Sequence, residues 1–406
     1  MKTVIKNVNV LDVETGQYQN NTCVIIEDHV IQAIGESADA DHVIDGQGKF
    51  LLPGMIDSHV HLMLEFKPVA QMLTTPFSYN FYEAMTYARK TIDAGITTVR
   101  DALGADLGFK QAVENNLFPG PRMKISVNAL TITGGHGDNY QYSGNTVNLI
   151  PEDYPGMPSG LCDGVEEVRK KTREMLRAGA DVIKVHATGG VSSPTDHPNF
   201  TQFSLDELKV MVEEARFRNN VKVMAHAQGL EGIKQCVEAG IHSIEHGIYL
   251  DEEVVQQMKE KGTYLVPTLL APISVLEFAE ELGIPEVAIK KSEEVLEDHI
   301  KSFQLAHQNG VKIAMGTDAG VFKHGTNLRE LELMVQYGMT ELEAIQASTL
   351  TAAECMEIDN IGRIKEGFLA DLILVDTDPL QDIGSLKVND QIRVVIKDGD
   401  VLKNTL

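Results

Sequence analysis

Residues 54–61 read Gly54-Met55-Ile56-Asp57-Ser58-His59-Val60-His61, a short apolar run that ends in two histidines. In an extended strand, side chains two positions apart share a face, so His59 and His61 point the same way. Two imidazoles so placed can chelate a borderline metal such as zinc; an ordinary pair of polar residues at a strand end is the alternative for an isolated His-x-His. The recurrence of this kind of run decides the fold. Apolar, β-branched runs alternate with amphipathic stretches, predicting strands at 54–59, 96–100, 123–129, 182–186, 222–226, 243–246, 264–268 and 312–317. Helix signals lie between them. Ser204-Leu205-Asp206-Glu207 and Thr340-Glu341-Leu342-Glu343 fit the capping box. Ala94-Gly95, Ala239-Gly240 and Asn309-Gly310 supply left-handed helix stops. Eight strands alternating with helices predict a parallel sheet closed into a (β/α)8 TIM barrel over 54–361.

The flanks read differently. Strands are predicted at 4–8, 22–26 and 30–34, then at 370–375, 392–396 and 401–402, the last two forming a hairpin around Asp398-Gly399. Neither end is large enough for its own core, so 1–53 and 362–406 are expected to combine into one small β-sandwich domain. Of the 406 residues 43% are hydrophobic, which suffices for a large core, and a single barrel can absorb roughly 250 of them. The formal net charge of −24 disfavours phosphate backbones and anionic membranes as partners. Cys23, Cys162, Cys236 and Cys355 are scattered singly and read as reduced thiols. The first residues lack an apolar run like a signal-peptide core, and no stretch is long and apolar enough to span a membrane. A cytoplasmic protein is expected.

Four further residues stand where the His pair stands, at predicted strand ends on the rim where barrel active sites gather. Lys184 lies in the apolar run 182–185, where an inward lysine is costly unless neutralised or paired. His226, His246 and Asp318 close the fifth, sixth and eighth strands. Singly, each has an ordinary alternative: a salt-bridged lysine, two core histidines, a helix N-cap. Their coincidence at the ends of strands one, four, five, six and eight points to a metal site.

The segment 52–62 (LPGMIDSHVHL), the lone lysine of strand four, the single histidines of strands five and six, and 316–320 (GTDAG) together resemble the amidohydrolase superfamily across nearly the whole chain. The terminal sheet and 362–376 (GRIKEGFLADLILVD) are similar to that superfamily's β-sandwich and its return strand. The resemblance implies His59, His61 and Asp318 on one metal, His226 and His246 on a second, and Lys184, carboxylated by CO2, bridging the two. Zinc is the first choice, with manganese, cobalt and nickel also compatible. Paired cations would make water a nucleophile at neutral pH, and Asp318 would carry its proton to the leaving amine.

Residues 183–193, with 97–101 and Gly134-Gly135-His136-Gly137, resemble the metal-dependent prolidase and carboxypeptidase branch, which is related to imidazolonepropionase. That resemblance implies a dipeptide or N-acyl amino acid as substrate and places His136 against it. Gln228 stands where several relatives carry a Tyr or His that addresses the substrate carboxylate, and an amide binds carboxylate less strongly. Arg100 could supply charge, but a structural role beside Asp101 or a helix end fits it better. Other readings keep the metals and open a cyclic amide (a lactam or imidazolone) or hydrolyse an organophosphate; a non-catalytic scaffold would lack the ligands present here. Related barrels commonly assemble, so a homo-oligomer acting on a small molecule is expected.

Overall fold

The computed structural model describes residues 1–406 except 36–38, 192, 194–195, 283 and 285; Ser192, within the segment after the fourth predicted strand, thus lies outside the described residues. In chain order the strands are β1 Lys2–Asp12, β2 Gln17–Glu27, β3 Val30–Ile34, β4 His42–Asp45, β5 Phe50–Pro53, β6 Met55–Val60, β7 Ile96–Asp101 and β8 Arg122–Ile125. There follow β9 Ala129–Leu130, β10 Val182–His186, β11 Lys222–Ala227, β12 Ser243–His246, β13 Tyr264–Val266, β14 Leu372–Val375, β15 Ile392–Lys397 and β16 Asp400–Asn404.

Both ends of the chain meet in one sheet, ordered β16-β15-β14-β5-β1-β2-β3, with β4 also paired to β1. The join is antiparallel, Leu372 opposite Pro53 and Val375 opposite Phe50. Period-two alternation gives this sheet two apolar faces. Leu372 and Leu374 pack with Val10, Ile26 and Ile396, whereas Ile373 and Val375 pack into the larger core of the middle segment. The hairpin from β15 to β16 turns through Asp398 and Gly399, both at positive φ, as a tight primed turn requires. The short strands β4 and β5 carry too little pattern to be read beforehand.

The middle segment forms two all-parallel sheets, β6-β7-β8 and β9-β10-β11-β12-β13, with helices in the connections. Two predicted strands emerge altered. The third is broken between β8 and β9, where Val127 sits at φ 67°, Gly104 N–H donates to its carbonyl, and the Asn128 side chain takes the Ala129 N–H. The eighth forms only isolated bridges, Leu265 with Ile313 and Val60 with Ala319. Its ladder is interrupted because Met315 N–H donates to Ala347 O and Ile56 N–H to Ser348 O. Even so, residues 312–318 bond to both sheets: Leu265 N–H to Lys312 O at 2.9 Å, and Ser58 N–H to Met315 O at 2.8 Å.

The helix signals hold. Both capping boxes close reciprocally, and Gly95, Gly240 and Gly310 all take positive φ. The four cysteines are free thiols, three of them buried. Among the described residues no helix is long and apolar enough to cross a membrane.

Candidate metal centre

Eight residues singled out in the sequence, His59, His61, His136, Lys184, His226, Gln228, His246 and Asp318, line one cavity. Strand alternation explains part of this convergence. His59 and His61 share a face at the end of β6, and His226 stands beside His186 across the parallel register of β10 and β11. Local backbone geometry explains the rest. His246 and Asp318 sit at φ 72° and 66°, and Thr268, beyond β13, at 51°. Left-handed non-glycine residues are costly, and their clustering at strand ends marks a site the surroundings over-determine. At β12 the effect is direct. Glu245 and its neighbour His246 should face opposite ways, yet His59 reaches both, its Nδ1 2.7 Å from Glu245 and its ring 5.2 Å from that of His246.

His59, His61 and Asp318 each offer a ligand atom, all within 4.8 Å of one another. Their Nε2 atoms lie 3.2 and 2.9 Å from Asp318 Oδ1. The rings of His226 and His246 are 4.7 Å apart on the other side. Each imidazole is oriented through its far nitrogen. His59 Nδ1–H donates to Glu245, His61 Nδ1–H to Leu103 O at 3.2 Å, and His226 Nε2–H to Gly189 O at 3.1 Å. His246 Nδ1 bonds Thr268 Oγ1 at 2.7 Å. A carbonyl or carboxylate can only accept, so three of these contacts fix a tautomer that leaves the opposite nitrogen as a lone pair. That is how metal-ligating histidines are held.

Burial, reinforced by neighbouring imidazoles and Lys184, holds His186, His226 and His246 well below the usual histidine range, so all three are neutral. Lys184 is buried, with no hydrogen bond or ion pair closing on its Nζ among the described residues. Burial pulls it down to about 8 against the pull of Glu245 and Asp318. Burial would raise Asp318, but the adjoining imidazoles of His59 and His61 outweigh it and hold the carboxyl well below its usual range. The imidazoles, each with one ring nitrogen left facing the cavity, and the Asp318 carboxylate make a donor set that fits divalent cations.

Arg100 corrects one expectation. Its partner is not Asp101 but Glu245, at 2.9 Å, with Ser58 O accepting from its Nε at 2.7 Å. Burial alone would raise Glu245, but Arg100 and His59 bring it down to about 2. Arg100 thus supports the carboxylate that orients His59. Arg100→Met should destabilise the protein by about 3–5 kcal/mol, because it strands a buried charge. Chemical denaturation would measure it, and a change below about 1 kcal/mol would refute the support role.

His136 lies against the centre. Its ring stacks on His226 at 4.4 Å, and its Nδ1 is 3.1 Å from Asp196. Gln228 is buried, with N–H bonded to Thr188 Oγ1 and Oε1 unpartnered among the described residues. Sequence reading missed His186, which edges both His136 and His226 and whose Nδ1 is buried and unpartnered among the described residues. The signal was present: Lys184 and His186 are two apart in β10, as His59 and His61 are around the end of β6. It also missed Glu245. Leu64, Phe66, Leu149, Ile150 and Val275 supply an apolar wall.

The amidohydrolase family model matches residues 50–402. The chain is 34% identical to ochratoxinase of Aspergillus niger, over 96% of this chain and 84% of the relative. A crystal structure of a prolidase complexed with N-methylphosphonate-L-proline superposes with a TM-score of 0.92 at 33% identity, covering 100% of both chains. A crystal structure of a Xaa-Pro dipeptidase with bound methionine gives 0.89 at 34% identity over 99% of each. The chain therefore belongs to the amidohydrolase family and is a hydrolase of C–N bonds.

Proposed function

We propose that this protein is a binuclear metal-dependent amidohydrolase that cleaves an amide bond of a dipeptide or N-acyl amino acid. In this reading the two parallel sheets and residues 312–318 form one closed (β/α)8 barrel over 54–361. Residues 1–53 and 362–406 are its composite β-sandwich. His59, His61 and Asp318 hold one divalent ion, His226 and His246 the other, and Lys184, carboxylated by CO2, joins them. Zinc is the first choice, with manganese, cobalt and nickel compatible with the same donors. When bound, the metals polarise the scissile carbonyl and acidify water. Asp318 Oδ1 receives the proton of the attacking water and returns it to the departing amine. His136 and Gln228 seat the substrate beside this centre. Small-molecule turnover by a cytoplasmic homo-oligomer belongs to the same reading.

One observation carries the proposal: five nitrogen and oxygen ligand residues and an unpaired buried lysine meet in one cavity, with each imidazole held by its far nitrogen. The names of the relatives, prolidase, Xaa-Pro dipeptidase and ochratoxinase, support the substrate class. The apolar wall suits an uncharged group flanking the amide. The purified protein is expected to carry about two metal equivalents. Chelation should abolish hydrolysis of a panel of dipeptides and N-acyl amino acids, and added zinc, manganese or cobalt should restore it. Turnover indifferent to chelation would overturn the reading.

A further inference from the structure

The helix Glu286–Gln308 follows β13 and carries none of the residues assigned above. One stripe of it is buried: Lys291, Val295, His299 and Ser302. The stripe's polar members all bond to the C-terminal ends of the parallel strands or to the loops that follow them. Ser302 Oγ donates to Ile248 O at 2.7 Å, and His299 Nε2–H reaches His246 O and Pro267 O at 3.0 and 2.7 Å. Lys291 reaches the loop after β10. Its ammonium has three N–H donors and meets three backbone carbonyls: Gly190 at 3.2 Å, Ser193 at 2.7 Å and Asp196 at 2.6 Å. Asp196 Oδ1 stands 3.8 Å away. A buried cation is tolerable where its donors are matched in this way.

The far side of that loop holds His136. Asp196 Oδ2 accepts from the ring Nδ1 at 3.1 Å and from Gln202 Nε2 at 3.2 Å, and Gln202 Oε1 accepts the His136 backbone N–H at 3.0 Å. Ring and main chain of His136 are therefore gripped by two side chains, one of which belongs to the residue whose carbonyl Lys291 clamps. With Nδ1–H committed to the carboxylate, Nε2 is left as the acceptor on the ring that stacks against His226.

We infer that Lys291 is a positioning residue for substrate recognition, acting through Asp196 to fix the place and tautomer of His136. The inference rests on the substrate role proposed for His136 and adds to it the device that holds the ring. The ammonium does the work of a bound cation, tying the loop after one strand to a helix that follows another.

The test compares Lys291→Met, Asp196→Asn and His136→Ala, singly and in pairs, on metal-loaded protein with the fastest substrate of the panel. Each single variant should lower kcat/KM by about 100-fold, since misplacement of a contacting group by about 1 Å costs that much. Adding His136→Ala to either of the others should cost less than about threefold more, because the three act as one unit. Metal content should stay at the wild-type level. Asp196→Asn keeps the clamped carbonyl and the side-chain shape, so it decides the matter should Lys291→Met fold poorly. Losses that multiply, or near-wild-type kcat/KM in the Asp196 and Lys291 variants beside an impaired His136→Ala, would overturn the inference. Loss of metal would do so as well, since the lysine would then serve the metal centre. A fully active His136→Ala would remove the substrate role of His136 and this inference together, leaving the metal-centre reading intact.

Discussion

Asp318→Asn is expected to keep its metal and to lose turnover by about 10²–10⁴-fold, the usual worth of a placed general base. The substitution isolates proton transfer. Asparagine has the same shape and still presents an oxygen to His59 and His61, which stand 3.2 and 2.9 Å from Oδ1. It also tolerates the backbone, since Asp318 sits at φ 66°, where Asn and Asp are the least penalised side chains after glycine. Alanine would add strain and remove a ligand at once, confounding the result. What Asn cannot do is accept the proton of the attacking water. Metal analysis and steady-state kinetics on one preparation read both quantities. Undiminished kcat would remove Asp318 as the proton carrier, and loss of metal would make it chiefly a ligand.

The convergence of distant residues was legible because side-chain period and strand ends are sequence properties. His59 and His61 announced themselves by spacing, Lys184 by its cost in an apolar run, and His226 by closing one. Orientation at the rim was less legible. Alternation sends Glu245 and His246 to opposite faces, and only the left-handed turn at His246 lets His59 meet both. The same limit applies at Val127, a β-branched residue at φ 67° that breaks the third strand where propensity favoured continuity. Strand eight failed for a different reason. The Met315 N–H that should continue the ladder is taken by Ala347 O, a partner supplied by the C-terminal end of the helix Glu341–Ala347 and invisible to any local pattern. Lys291 gave no signal at all, since its three carbonyl partners are backbone atoms roughly a hundred residues away, as the separations of 101, 98 and 95 positions show.

Lys184→Met should move activity and apo stability in opposite directions. The wild-type lysine is a desolvated amine with no ion-pair partner among the described residues, surrounded by neutral imidazoles. A buried cation without a contact ion pair, its burial only partly offset by Glu245 and Asp318, is expensive, and a thioether of similar length fills the space without it. The metal-free variant should therefore unfold at higher denaturant concentration than metal-free wild type. On the proposed binuclear reading catalysis should fall by at least about 10³-fold, because the oxygen ligand that a carboxylated Lys184 would supply is lost with the amine and metal ions are worth several kcal/mol of transition-state stabilisation. Bound metal should drop from about two equivalents toward one, since His59, His61 and Asp318 form a three-ligand set without Lys184 while His226 and His246 do not. Such a trade between stability and activity is the mark of a strained functional site. A stable, fully metallated and active Lys184→Met protein would mean that the lysine fills space only.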